Sequence, residues 1–200
     1  MTAPFDYPTS PHVRRHGPRG YAGYESYRPW LRDEFTFRCV YCLTREAWTL
    51  ISGAYAIDHF VPVASRPDLE AEYDNLLYAC IPCNLAKGSS ETPDPLSVLV
   101  GDGVSVSGGG VIHGTTPEAS RLIELLGLNR VRAVEFRELW IGIVRLAAKF
   151  DQDLFRRVVG FPSDIPDLSS LEPPGGNTRP GGVAASYSEQ KKAGTLPETY

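Results

Sequence analysis

Two C-x-x-C pairs, Cys39-Val40-Tyr41-Cys42 and Cys80-Ile81-Pro82-Cys83, constrain this chain more than any other feature. They use every cysteine present, and 37 residues lie between them. Two such knuckles supply four thiolates that close a tetrahedral zinc sphere with no open position, a structural site rather than a catalytic one. A redox reading fails because neither pair sits in a recognisable strand-to-helix redox context and both occur together. The pattern therefore predicts Zn2+ held by Cys39, Cys42, Cys80 and Cys83. Thiols persist in reducing compartments, and Met1 to Arg19 has no apolar stretch that could form a signal-peptide core, so cytoplasmic localisation is expected.

With 42% hydrophobic and 22% charged residues in 200, the chain is neither disordered throughout, nor collagen-like, nor a coiled coil. Its longest apolar stretch, Leu139 to Phe150, is broken by Arg145 and Lys149 and falls short of the roughly 20 residues a bilayer span needs, so no membrane contact is expected. The net charge of -4 is unevenly spread. Residues 51–100 hold two Lys/Arg against seven Asp/Glu, a surface that repels nucleic acid unless a divalent cation intervenes. The N-terminal arm, residues 1–34, interleaves His12, Arg14, Arg15, His16, Arg19, Arg28 and Arg32 with Tyr21, Tyr24, Tyr27 and Trp30. That make-up suits either a nucleic-acid contact or a polar tail whose aromatics pack onto the domain.

Frequent Pro and Gly leave the arm without regular structure to about Gly23, with a short helix near Trp30 to Glu34. A core over residues 35–92 carries strands at Ala54–Ile57 and Leu76–Tyr78. Residues 93–160 are expected to hold a hairpin from Ser97 to Val106, turning at Asp102-Gly103, and then two helices. Thr116-Pro117-Glu118 starts the first, with Leu122, Ile123, Leu125 and Leu126 as its apolar side. Asn129 caps the second, about 130–150, whose packing face is Phe136, Leu139, Trp140, Ile143, Leu146, Ala147 and Phe150, opposite Glu135, Glu138, Gly142, Arg145 and Lys149. Core packing is the preferred use of that face; a dimer face is the alternative. In residues 161–200, Pro, Gly and Ser make up 16 of 40, the composition of a disordered tail.

Three further segments carry chemistry: Tyr55-Ala56-Ile57-Asp58-His59, Tyr73-Asp74-Asn75-Leu76, and Cys83-Asn84-Leu85-Ala86-Lys87-Gly88. Taken with the knuckles, and over about Phe37 to Ser89, the sequence resembles the HNH nuclease family, in particular the zinc-bound subgroup whose ββα-metal core is flanked by two C-x-x-C pairs. The resemblance implies an α+β fold and a metal-dependent endonuclease acting on nucleic acid, double-stranded DNA first, that leaves 5′-phosphate and 3′-hydroxyl ends. It makes His59 the general base, Asp58 a ligand of the catalytic cation and Asn75 the residue that orients the base. Asn84 stands where the founding pattern has a histidine; an amide oxygen is an acceptable ligand for Mg2+, with Mn2+ the alternative. Lys87 is either a neutraliser of charge on the phosphate or a solvated lysine, and His113 is a minor alternative ligand. Partners are expected to be nucleic acid and, through the C-terminal helices, a second copy or another protein. The rival reading is a zinc-ribbon module that binds nucleic acid or protein and does no chemistry; it needs the cysteines and the basic arm but not Asp58, His59 and Asn84.

Overall fold

The computed structural model describes residues 4–49 and 54–200, so the first three residues of the arm lie outside the described residues. From Pro4 to Gly23 the chain forms no helix or strand beyond an isolated bridge of Pro18 with Asn177, yet it is held closely against the core. Helix α1 (Arg28–Glu34) follows, with Pro29 in its first turn. Thr36 and Phe37 then adopt left-handed backbone (φ 53 and 54), reversing the chain into the first knuckle. Strand β1 (Tyr55–His59) pairs antiparallel with β2 (Leu76–Cys80) in a register that sets Asp58 opposite Leu77 and His59 opposite Leu76. Both strands outrun their expected ends, so the Asp-His pair lies inside the sheet. All five β2 residues are buried, and helix α2 (Ile81–Lys87) starts directly after it with Pro82 in its first turn.

Much of the arm packs onto the domain, as the second of its two readings expects. Glu34 accepts hydrogen bonds from the backbone N–H groups of Arg15 (2.8 Å) and His16 (3.0 Å) and from the Tyr73 hydroxyl (3.0 Å), and His12 Nε2 lies 2.7 Å from it. His16 is fully buried against Asp33, while Arg14 lies over Phe35 and Tyr73 and donates to the Leu76 carbonyl. These basic groups are engaged inside the protein rather than presented to a phosphate backbone. Burial alone would raise the Glu34 carboxyl, but His12 and the two backbone donors overcome it and hold it at about 2 against an ordinary 4.5. Glu34→Gln is therefore expected to lower stability at pH 7 by about 3 kcal/mol. Because the folded value is depressed, the contribution is complete above 4.5 and is lost as pH falls towards 2. Denaturant titrations of parent and variant side by side check this, since differencing them cancels effects common to both; a gap that stays constant down to the acid limit argues against it.

Beyond the core the structure corrects several expectations. No hairpin forms at 97–106: Asp94 caps a short helix α3 (Pro95–Val98), and a 3-10 turn covers Gly101–Gly103. The hairpin is instead β3 (Val104–Val106) with β4 (Ile112–Gly114), closed through Gly110. Gly110 has φ 80, and a Cβ there would lie 2.6 Å from the Val134 carbonyl, so only glycine fits. Helix α4 (Pro117–Leu125) starts as the sequence predicts, with Thr116 accepting from the Ala119 N–H. Helix α5 (Val131–Phe150) does not use Asn129 as its cap, because that amide clamps both backbone groups of Ile112 (2.9 and 2.7 Å). The buried face of α5 is Arg137, Ile141, Val144 and Ala147, with Trp140 stacked on Trp48 at 4.6 Å, while Leu139, Leu146 and Phe150 face outward. The face is turned by roughly a quarter-turn from the expected one. Arg137 sets the choice by donating to the carbonyls of Gly110 and Leu128, bonds that hydrophobic periodicity does not register.

Helix α6 (Gln152–Val159) turns back along α5, and the last 40 residues, expected to be disordered, continue over the core. They include α7 (Gly181–Ala184) and α8 (Tyr187–Lys192). Phe161, Tyr187 and Tyr200 surround the fully buried Phe37 at 5.8–6.1 Å between ring centroids, and Leu168 is fully buried. The Tyr200 ring also lies against the guanidinium groups of Arg38 (4.8 Å) and Arg45 (4.2 Å), on either side of the first knuckle. Its glycines serve close approach, since a Cβ on Gly182 would sit 2.0 Å from the Arg15 carbonyl. Composition averages conceal this handful of aromatic anchors. Deleting residues 161–200 is thus expected to lower Tm by on the order of 10 °C through exposure of Phe37 and its neighbours, and a truncated protein that melts with the parent would refute this.

Candidate active site

The first knuckle is a tight turn: the Leu43 N–H donates to the Cys39 carbonyl and the Cys39 N–H to the Thr44 carbonyl, both at 2.9 Å, with Leu43 left-handed. The second uses a strand-to-helix junction, where Cys80 ends β2 and Cys83 lies in the first turn of α2. A hydrogen bond from the Val40 N–H to the Tyr78 carbonyl (2.9 Å) fastens one to the other. All four Sγ atoms are buried and lie within 4.8 Å of one another. Hydrogen bonds from the other three thiols hold Cys42 low, while burial pushes Cys39 up. Four sulfur donors converging in this way fit zinc. Among the described residues no other group of three His, Cys, Asp or Glu side chains converges so.

Successive β1 residues point to opposite faces, which divides Asp58 from His59. Asp58 turns inward, 3% exposed. Its Oδ2 accepts from the Tyr41 hydroxyl (2.5 Å) and its Oδ1 from Lys87 Nζ (3.1 Å). Burial raises the Asp58 carboxyl, and Tyr41 and Lys87 oppose the rise. Tyr41 lies between the first two cysteines, so one residue joins the sulfur site to the acid. Sequence reasoning passed over it because a buried hydroxyl inside a knuckle has no spacing signature.

His59 is half-exposed, with its ring edge against Tyr24 (4.7 Å) and Nε2 3.0 Å from the Glu70 carbonyl oxygen. A carbonyl only accepts, so Nε2 carries the proton and Nδ1 is left as the basic nitrogen. Asn75 is expected to bond near the His59 backbone. Its amide accepts from the Val61 N–H (2.8 Å) and donates to the carbonyls of Val61 (3.1 Å) and Leu69 (3.2 Å). One side chain therefore fixes the segment after His59 and the segment before Glu70, whose carbonyl sets the ring.

Lys87 is neither solvated nor placed to meet a phosphate. Its side chain is fully buried, donating to Asp58 and to the His59 carbonyl (2.6 Å). Spacing put it on the correct helix face, but spacing carries no depth. Lys87→Met leaves a buried carboxylate without its cation and is expected to destabilise the protein by about 3 kcal/mol; an unchanged denaturation midpoint would count against that account. Asn84 lies one turn earlier on α2, half-exposed, and its side chain has no hydrogen-bond partner among the described residues. Each Asp58 oxygen accepts one hydrogen bond, from Tyr41 or Lys87, and carboxylate and amide oxygens are the hard donor types that Mg2+ takes. His113 is exposed on β4, in the other sheet, and takes no part.

These elements form an antiparallel strand pair followed at once by a helix, with an Asp-His pair on one strand, Asn75 before the other, Asn84 and Lys87 on the helix, and a four-sulfur site at its base. Residues 39–90 match the HNH endonuclease family. The matched segment begins on Cys39 and extends past Lys87, so it takes in every residue of both sites. No curated protein and no solved structure matches the chain. The HNH match implies a nuclease that acts on nucleic acid with a divalent metal, and the fold around it is α+β.

Proposed function

We propose that the chain is an endonuclease that hydrolyses phosphodiester bonds of double-stranded DNA, with residues 35–92 as its catalytic core and the reducing cytoplasm as its setting. The observation that carries this reading is the state of His59: its Nε2 is tied to the Glu70 carbonyl and its Nδ1 is basic, at the half-exposed end of a strand whose preceding residue is a buried carboxylate. An imidazole nitrogen is the side-chain base suited to work near neutral pH. His59 Nδ1 takes the proton from the attacking water, and Asn75 holds the loop that keeps the ring aligned. Lys87 and Tyr41 hold Asp58 in one orientation. Asp58 and Asn84 would hold Mg2+, or Mn2+, which when bound stabilises charge on the phosphoryl oxygens and the leaving 3′ oxygen. Zn2+ at the four cysteines is structural.

Supercoiled plasmid incubated with the protein and Mg2+, with Mn2+, and with chelator tests the reading, with duplex RNA and single-stranded DNA alongside. Nicked or linear plasmid with 5′-phosphate and 3′-hydroxyl ends, absent with chelator, is expected. Tight plasmid binding without cleavage under either metal would favour the zinc-ribbon module instead.

A further inference from the structure

Helix α5 carries a second apolar stripe that no described residue covers. Leu139, Leu146 and Phe150 are 61%, 62% and 71% exposed along about three turns of one face. Gly142 lies beside them, and nothing stands within 4 Å of where its Cβ would be, so the backbone is open to close approach there. Large apolar side chains gathered on one side of a helix mark an interaction surface rather than scattered surface residues.

The charges bordering the stripe identify the occupant. Glu135 and Glu138 lie towards its N-terminal end, Arg145 and Lys149 towards its C-terminal end, and all four are exposed. None of them forms an ion pair among the described residues. At the i, i+4 spacing the helix offers them no partner, because the positions four residues after Glu135 and Glu138 are Leu139 and Gly142, and those four before Arg145 and Lys149 are Ile141 and Arg145; Arg132, three residues before Glu135, is the one opposite charge at i, i+3. A second copy running antiparallel and crossing near Gly142 supplies every missing partner. In that arrangement the same flank of each helix meets itself reversed. Leu139 then faces the partner's Leu146, Glu135 faces the partner's Lys149, and Glu138 lies near the partner's Arg145. A parallel pair would set this flank against the partner's opposite one, where Phe136, Trp140 and Ile143 offer no charge to match it.

We infer that the chain forms a twofold homodimer through antiparallel contact of α5 with the α5 of a second copy. The inference stands apart from the nuclease reading, since α5 lies outside the HNH match. A helix pair of this length buries a modest area, which belongs to the weak, concentration-dependent class of association.

Sedimentation equilibrium of the full chain from roughly 1 to 100 µM is the test. The parent is expected to pass from monomer to dimer across that range, and Leu139→Glu/Leu146→Glu to remain monomeric while melting like the parent. Two charge variants, Glu135→Lys/Glu138→Lys and Arg145→Glu/Lys149→Glu, are each expected to associate at least tenfold more weakly alone and to regain dimerisation when mixed in equal amounts, because antiparallel pairing matches the two. A parent monomeric at 100 µM, a leucine variant that dimerises like the parent, or a mixture no tighter than its components would each overturn the inference. Because association is read without substrate, its failure leaves the nuclease reading untouched, and an inactive dimer leaves the inference standing.

Discussion

His59→Ala is expected to slow plasmid cleavage by on the order of 10³-fold under single-turnover conditions, with zinc content, melting and DNA affinity at parent levels. The separation follows from what the ring touches. Its contacts are the Glu70 carbonyl, accepting from a half-exposed side chain, and the edge of Tyr24. Removing it therefore leaves little buried surface unfilled and no buried charge unpaired. Asp58, Asn84 and the four cysteines keep their positions, so only the proton acceptor is lost. Asn75→Ala provides the contrast. It removes bonds to Val61 and Leu69 and should reduce both activity and stability, because that amide is buried and holds backbone rather than meeting substrate. If His59→Ala nicked plasmid as fast as the parent, the base assignment would fall and the zinc-ribbon module would become the better account.

Cys80→Ser is expected to cost the protein its zinc and most of its stability together, because a structural zinc site contributes about 10 kcal/mol or more of folding free energy. Cys80 is the pivot of the second knuckle, ending β2 and leading into α2, and its Sγ lies 3.6 Å from that of Cys42. Loss of the metal also frees the first knuckle, from which Tyr41 reaches Asp58. The variant should therefore lack both fold and activity, whereas His59→Ala lacks activity alone. Elemental analysis and thermal melting read the two effects separately; one zinc per chain and a parental melting curve in Cys80→Ser would contradict the structural role.

How far the site can be read from sequence depends on whether its chemistry is local. The paired cysteines, Asp58-His59, Asn75 and Asn84 are legible because each lies at a fixed offset from a knuckle or a strand end. The Glu70 carbonyl is not, since every residue has one and only the folded loop selects it. The depth of Lys87 was equally hidden, because an i, i+3 relation to Asn84 gives a face but not whether solvent reaches it. In α5 apolar residues occur at several azimuths, and the choice between them fell to Arg137 and Trp140, whose partners are distant in sequence. The arm misleads for a related reason: arginines stacked on Phe35, Tyr73 and Tyr187 have the same composition as arginines awaiting a nucleic acid.

The closure of Tyr200 over Arg38 and Arg45 sets an order of events during synthesis. A ribosome delivers the four cysteines well before the segment that covers the first of them, and more than a hundred residues separate Cys83 from Tyr200. While that remainder is being translated, Phe37 and the outer side of the first knuckle lack their aromatic lid, and Glu34 is already able to gather the arm. A nascent chain thus has all four sulfur ligands before it has their aromatic cover.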